Sequence, residues 1–284
     1  MLTRRSILVL PVVLAAAGAF AGEPVTGAGA TFPAPLYSRW AGDAKAIGVT
    51  VNYQSIGSGG GVNQVRSRTV TFGATDAPLD DPGDLFQFPV VEGSVVPIVN
   101  VPGVAEADVK LSLATIAKIF SGKIVGWNDP EIVSQNLGKN MPKLPILPIY
   151  RAEGSGTTFV WTTAMKATGN WPNAGTAIKW PVGQGAKGND GVAATVQRVK
   201  GSIGYVEYIY AKNSGLQTAT MDVEVKGKTY VLLPRNPVNR AAHDEAVRFF
   251  EWCMTKGLET AKTMYYQPLD QAEYARIIQE MKKI

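Results

Sequence analysis

Three stretches of this chain set hydroxyl side chains beside glycine. They are Gly27-Ala28-Gly29-Ala30-Thr31-Phe32-Pro33, Ile56-Gly57-Ser58-Gly59-Gly60-Gly61 and Arg151-Ala152-Glu153-Gly154-Ser155-Gly156-Thr157. Each runs into a segment with helical spacing. A helix start offers backbone N–H groups that lack intrahelical partners, and Ser or Thr adds O–H donors, so three such stretches can converge on one small anion. Arg151 can add a two-pronged guanidinium contact. A fourth stretch, Phe72-Gly73-Ala74-Thr75-Asp76-Ala77-Pro78, contributes a carboxylate. A carboxylate belongs among anion-binding groups only if the anion carries a proton for it to accept. Taken singly, each loop reads as an ordinary helix cap, Asp76 as a turn residue and Arg151 as a surface ion-pair partner. Together they describe a receptor for a protonated tetrahedral oxyanion.

The elements that must position these groups alternate between strand and helix, which predicts an α/β fold. Residues 31–47 carry Leu36, Trp40, Ala44 and Ile47 at helical spacing, and Gly48 is a stop. Residues 49–53 alternate like a strand, and a helix is expected to start near Val62. A short strand over 69–74 delivers Thr75 and Asp76 at its C-terminal end, where ligand groups collect in open α/β sheets. Residues 95–103 are apolar, close on Pro-Gly and can carry the chain between domains. Residues 111–120 read as a helix, and Asp129-Pro130-Glu131 as an N-cap, a first-turn proline and a first-turn acid. Residues 144–150 read as a strand interrupted by two prolines, which favours a sheet edge. It feeds the Arg151 loop and a helix over 157–165. Asn189 or Asp190 caps a further helix. Residues 203–210 read as a strand and 223–231 as a hairpin around Lys226-Gly227, with 230–233 as the return crossing. Ala246, Phe249, Phe250 and Cys253 form the apolar face of a helix, and a last helix starts near Gln271.

The N-terminus has the layout of an export signal. Arg4 and Arg5 precede an apolar run over 7–17, and Ala19-Phe20-Ala21 fits a small-x-small cleavage site. The run is too short to span a membrane. Thr3-Arg4-Arg5-Ser6-Ile7-Leu8 also loosely resembles a twin-arginine signal, so both export routes stay open. No cysteine near the cleavage site could carry a lipid anchor. The expected product is a soluble periplasmic protein beginning at or near Gly22.

The remaining composition narrows the function classes. Of 284 residues, 45% are hydrophobic and 18% charged, enough apolar surface for one large domain or two. The formal charge is +5, and the expected leader removes two of the basic residues. The rest are dispersed, which argues against nucleic-acid binding. A single Cys and a single His rule out a Cys/His metal cluster and an internal disulfide. Gly183-Gln184-Gly185-Ala186-Lys187-Gly188 matches the spacing of a dinucleotide-binding loop, but it follows Trp180-Pro181 rather than a clear buried strand, and no acid stands about 20 residues on. It reads as a structural loop. His243 reads as solvated, Cys253 as core, and Trp161 and Trp180 as packing residues.

Longer motifs run in order along the chain: Thr-Gly-Ala-Gly-Ala-Thr-Phe-Pro-Ala-Pro (26–35), Tyr-Gln-Ser-Ile-Gly-Ser-Gly-Gly-Gly (53–61), Phe-Gly-Ala-Thr-Asp-Ala-Pro-Leu (72–79) and Leu-Phe-Gln-Phe-Pro (85–89). They continue with Gly-Lys-Ile-Val-Gly-Trp-Asn-Asp (122–129), Arg-Ala-Glu-Gly-Ser-Gly-Thr-Thr (151–158), Gly-Ala-Lys-Gly-Asn-Asp-Gly-Val (185–192) and Ile-Gly-Tyr-Val-Glu-Tyr (203–208). In these motifs the chain resembles the phosphate-binding proteins of phosphate-specific ABC transporters, the PstS family. The resemblance implies a hinged, two-domain periplasmic-binding-protein architecture of type II, with the ligand in the interdomain cleft. The implied domains are residues 22–97 with 235–284, and 98–234. It implies that phosphate is held by Thr31, the Phe32 N–H, Ser58, Asp76, Arg151, Ser155, the Gly156 N–H and Thr157. It also implies a non-catalytic monomer, without cofactor or metal, whose partner is the permease of an ABC transporter in the inner membrane. Two departures stand out. The family usually carries Asp where this chain has Glu153, as the partner of the binding arginine. Between Tyr210 and Ala246 the chain is several dozen residues shorter than typical members.

Two rival readings remain open on residues alone. A related protonated oxyanion, phosphite or arsenate, offers Asp76 the same proton. A secreted phosphatase using Ser58, Ser155 or Asp76 as nucleophile would also need a general acid or base and usually metal ions.

Overall fold

The computed structural model describes residues 22–104 and 109–284. The expected leader, residues 1–21, lies outside the described residues. The chain opens with β1 (Val25–Gly29), α1 (Ala34–Asp43), β2 (Val51–Ser55), α2 (Ser58–Arg66), β3 (Phe72–Thr75) and the 15-residue strand β4 (Leu85–Val99). It continues with β5 (Lys110–Leu111), α3 (Leu113–Phe120), α4 (Pro130–Gln135), β6 (Leu147–Arg151), α5 (Gly156–Ala167), β7 (Gln184–Ala186), α6 (Gly188–Arg198) and β8 (Ser202–Glu207). Then come α7 (Tyr208–Ser214), β9 (Gln217–Thr218), β10 (Thr220–Met221), β11 (Lys226–Pro234), α8 (Arg240–Cys253), α9 (Leu258–Thr263), β12 (Gln267–Pro268) and α10 (Gln271–Met281).

The main sheet runs β2-β1-β3-β11-β4-β8-β6-β7. β4 serves both of its halves. Residues 85–94 pair antiparallel with β11, and residues 95–99 pair antiparallel with β8. Within each half the outer strands are parallel: β1 with β2 and β3, and β6 with β7 and β8. Parallel neighbours need helical crossovers, which α1 and α2 supply in the first half. The C-terminal ends of the parallel strands of both halves therefore face the place where the halves meet.

Local sequence explains much of this. Gly48, with φ of 77°, stops the helical segment that α1 and a following 3-10 turn form. Asp129 caps α4 through its carboxylate, as its Asp-Pro-Glu pattern predicts. α2 begins at Ser58, earlier than expected near Val62. Gly61 is needed because the helix lies directly on β1: a Cβ there would come within 2.4 Å of the Gly29 Cα.

Long-range pairing overrides the local reading in three places. The expected hairpin over 223–231 does not form. Lys226 and Gly227 lie inside β11, whose partners are β3 and β4, so residues 230–233 run beside the strands of the first half. The proline-bearing β6 is not an edge, because the short β7 pairs along its outer side. Residues 208–210, expected to extend the strand of β8, begin α7 instead, where Glu207 accepts the Ile209 N–H in an N-cap. The β11–β4 register shifts at Thr229/Tyr230: Thr229 faces Val91 and Tyr230 faces Pro89. Val90 is thus the extra residue of a bulge, beside a proline that cannot donate to the ladder. The displaced Val90 carbonyl is satisfied by the Tyr274 hydroxyl at 2.6 Å.

Each half has its own aromatic packing. In the first, Phe72 meets Phe250 of α8 edge-on at 4.9 Å, with Tyr37 and Phe88 around them. In the second, Trp161 stacks on Tyr205 at 5.4 Å and Phe120 closes the cluster. Burying each such ring contributes about 1.5–3 kcal/mol. Ala246, Phe249, Phe250 and Cys253 are all buried, as the spacing of α8 predicts, and so is Trp161. His243, read as solvated, is buried as well: the first turn of α8 turns it inward rather than to water.

Candidate functional site

The strand ends bring the sequence-derived site residues to one place. The chain leaves β1 for Thr31 and Phe32, β2 for Ser58 and β3 for Asp76. From the other half, β6 ends on Arg151 and leads to Ser155, Gly156 and Thr157 at the start of α5. The side chains of Thr31, Ser58, Asp76, Arg151, Ser155 and Thr157 are all buried. Contacts across the halves tie them together. The Gly156 N–H donates to Ser58 Oγ at 3.0 Å, and the Gly59 N–H donates to the Gly154 carbonyl at 3.0 Å.

The helix starts are built for anions. Ser155 caps α5, its Oγ accepting the Thr158 N–H at 3.1 Å. Arg151 lies beneath this cap. Its Nη1 donates to Thr157 Oγ1 at 3.3 Å, its Nε donates to Glu153 Oε1 at 3.0 Å, and its Nη2 also donates to Glu153 Oε1. The same Oε1 accepts the Gly188 N–H at 3.0 Å. Glu153, with its longer arm, therefore joins the arginine to the start of α6. Phe32 is held from behind, its carbonyl accepting the Tyr266 hydroxyl at 2.7 Å.

The three hydroxyls share one property. A hydroxyl has one proton and two lone pairs. Ser58 Oγ accepts from the N–H groups of Asp76 (3.4 Å) and Gly156 (3.0 Å). Thr157 Oγ1 accepts from Arg151 Nη1 and from Asn189 Nδ2, each at 3.3 Å. Thr31 Oγ1 accepts from Asn189 Nδ2 at 2.7 Å and from the Asn189 N–H at 3.3 Å. With their lone pairs occupied, all three can only donate onward. The site is thereby a set of donors, and it suits an acceptor-rich oxyanion.

Asp76 is the exception. Its Oδ1 accepts the Thr229 hydroxyl at 2.8 Å, whereas Oδ2 is buried without a partner. Burial pushes the Asp76 carboxyl up to about 7, against the pull of the Thr229 hydrogen bond and the Arg151 charge. Asp76 also explains Gly156. A Cβ at that position would lie 2.5 Å from the Asp76 backbone nitrogen and 2.6 Å from its Oδ2. Only glycine lets α5 approach the carboxylate this closely.

Sequence reasoning missed two of these residues. Asn189 looks like a helix cap, but Lys187 occupies the cap position of α6 and Asn189 lies inside the first turn, fully buried. The stretch 185–192 that carries the resemblance was its available signal. Thr229 had none, because it was assigned to a hairpin. The glycine-rich stretch 183–188, read as a loop, forms β7 and the start of α6, and its last N–H reaches Glu153. Among the described residues, no group of three or more His, Cys, Asp or Glu side chains could hold a metal ion, and no helix is long and apolar enough to cross a membrane.

Comparison with known proteins bears on the family and the fold. Residues 14–271 match the PBP superfamily domain. The chain is similar to the phosphate-binding protein PstS of Pasteurella multocida, 45% identical over 229 residues that cover 78% of this chain and 67% of that one. It is also similar to the phosphate-binding protein PstS of Haemophilus influenzae, 38% identical over 295 residues that cover 86% and 88% of the two chains. Among solved structures, a high-affinity periplasmic phosphate-binding protein bound with phosphate shares the fold, with a TM-score of 0.75 at 18% identity over 90% of this chain and 93% of that one.

Proposed function

This chain belongs to the PstS family of phosphate-binding proteins, and from that premise we propose that it captures inorganic phosphate in the periplasm and delivers it to the permease of an ABC transporter. One observation carries the reading: three hydroxyls with filled lone pairs, a guanidinium and a helix start are gathered with a buried Asp76 carboxylate whose Oδ2 has no partner. A buried oxyanion needs a donor for each lone pair that water no longer serves. Phosphate, which keeps a proton at neutral pH, also has one bond to give, and Asp76 Oδ2 is the acceptor for it. Thr31, Phe32 N–H, Ser58, Asp76, Arg151, Ser155, Gly156 N–H and Thr157 are the proposed phosphate ligands, with Glu153 orienting Arg151.

The two halves of the sheet act as hinged domains in this reading. The first crossing lies in β4, where pairing passes from β11 to β8 between Ser94 and Val95. β11, which the resemblance puts in the second domain of residues 98–234, is counted with the first domain instead because it pairs with β3. Phosphate stabilises the closed form because the donors of both halves meet only there. The protein is a monomer without catalytic activity, cofactor or affinity for nucleic acid.

Isothermal titration of the mature protein against phosphate, phosphite, arsenate and sulfate tests the assignment. Tight binding of phosphate with sulfate excluded at pH 8 is the expected result, and equal binding of the two would overturn it. A phosphatase assay with and without divalent metals tests the non-catalytic role, for which no turnover is expected.

A further inference from the structure

We propose that Asn189 is a positioning residue that sets the proton direction of the site, and that it does so only when the two halves of the sheet close. The inference rests on the phosphate reading above and adds a residue outside the ligand set. Asn189 is fully buried in the first turn of α6. Its Nδ2 donates to Thr31 Oγ1 at 2.7 Å and to Thr157 Oγ1 at 3.3 Å, and its own N–H adds a second bond to Thr31 Oγ1 at 3.3 Å. Its Oδ1 accepts the Glu207 N–H at 3.0 Å.

That last bond fixes the amide. Turned over, the NH2 group would face the Glu207 N–H, and a carbonyl oxygen would face the two threonine hydroxyls. Those hydroxyls would then donate to Asn189 and turn away from the ligand. In the observed orientation they accept from Asn189, so their protons are free only for the anion. One side chain thus decides whether two ligands act as donors.

Its position couples this to closure. Thr31 follows β1 in the first half, whereas Asn189 and Thr157 open α6 and α5 in the second. The Tyr210 hydroxyl, also from the second half, holds the Thr31 carbonyl at 2.6 Å. When the halves separate, Thr31 loses both Asn189 donors, and its hydroxyl is released to water. Closure therefore converts Thr31 from a free rotor into an oriented donor. This predicts that phosphate binding and the Asn189–Thr31 contact reinforce each other.

Isothermal titration with inorganic phosphate on the mature chain tests this with four proteins: native, Asn189→Ala, Thr31→Val and the double variant. Asn189→Ala should weaken binding by about tenfold to a hundredfold, the range of one charge-assisted hydrogen bond. The double variant should bind better than the product of the two single losses by at least about threefold, because with Thr31→Val part of what Asn189 orients is already gone. Losses that multiply would mean that Asn189 acts on binding independently of Thr31. Multiplying losses, or Asn189→Ala with native affinity, would overturn the inference while leaving phosphate binding intact. Native protein that binds no phosphate would instead overturn the functional reading and this inference with it. Should Asn189→Ala not fold, as judged by circular dichroism, Asn189→Asp keeps the shape and the acceptor for Glu207 but turns the donor into an acceptor. It should lose phosphate binding by at least about a hundredfold, and native-like affinity in that variant would overturn the inference equally.

Discussion

The Thr229 hydroxyl donates to Asp76 Oδ1 at 2.8 Å, leaving Oδ2 of the same carboxylate buried without a partner. Thr229 reaches Asp76 because β11 runs antiparallel to β3 with Tyr230 opposite Thr75, which sets Thr229 and Asp76, the next pair along, side by side. The pair makes Asp76 a single-oxygen acceptor. It also draws down a carboxyl that burial has raised to about 7.

Sulfate binding should depend on pH through Asp76. Sulfate has no proton to give, so it is repelled by the carboxylate and accepted only when Asp76 is protonated and donates. With Asp76 at about 7, sulfate affinity should level off below about pH 6 and fall about tenfold per unit above about pH 7. Phosphate brings its own proton and should lack that limb. Titrations with both ions from pH 5.5 to 8.5 check this, and parallel profiles for the two ions would count against Asp76 as the discriminating group.

Thr229→Val should move the sulfate limb. Loss of a hydrogen bond to a charged group is worth about 1.5–3 kcal/mol, or about one to two pH units. Asp76 should therefore stay protonated to higher pH, and sulfate binding should persist to higher pH with it. Thr229→Ser should behave as native. An unmoved limb in Thr229→Val would remove Thr229 from the control of selectivity.

Gly156→Ala should block closure without harming the fold. Alanine is the better helix residue, but its Cβ would meet Asp76 at 2.5 Å across the two halves. Overpacking costs about 1–3 kcal/mol, so phosphate affinity should fall about tenfold to a hundredfold. The melting temperature without ligand should not fall. Calorimetry on the same sample reads both quantities.

Arg151→Ala should weaken phosphate binding at least tenfold, since charge-assisted bonds are worth about 1.5–3 kcal/mol each. Arg151→Lys should not restore it. Arg151 serves Thr157 and Glu153 from separate nitrogens, a fork that a lysine ammonium cannot reproduce. Native affinity in either variant would place Arg151 outside the site.

His243 should make the protein acid-sensitive. Burial, reinforced by the nearby Arg240 charge, holds its imidazole below the usual histidine range. The unfolded chain then binds a proton that the folded one resists. The contribution is fully present above the ordinary pKa of about 6.5 and is lost as pH falls through it, at up to about 1.4 kcal/mol per unit. Asp76 acts in the opposite sense, its raised pKa favouring the folded state until pH climbs through about 7. Denaturant titrations of native and His243→Gln protein from pH 5 to 7.5 isolate the histidine, because Asp76 is common to both. A smaller loss on acidification is expected in His243→Gln.

Local chemistry determined the parts of this protein that the sequence alone reveals. The hydroxyl-glycine stretches, the Asp129 cap, the Gly48 stop and the apolar face of α8 depend on residues within one or two turns of each other, so spacing exposes them. The hydroxyl-glycine loops, Arg151 and Asp76 stood out as candidate anion-binding groups for the same reason, whereas the residue-by-residue ligand set is what the family resemblance implies. Tertiary structure decided what lies between such segments. Asn189 reaches Thr31 across 158 residues of sequence, and Thr229 reaches Asp76 across 153. No local pattern distinguishes a helix cap from a buried donor when the acceptor is that remote. β11 pairs with β3 and β4 rather than folding into a hairpin, β7 covers a proline-bearing strand that looked like an edge, and His243 is buried on a helix whose early turn looked solvated. In each case the partner is supplied by chain far away in sequence, and only the folded arrangement brings its hydrogen bonds and apolar surface within reach.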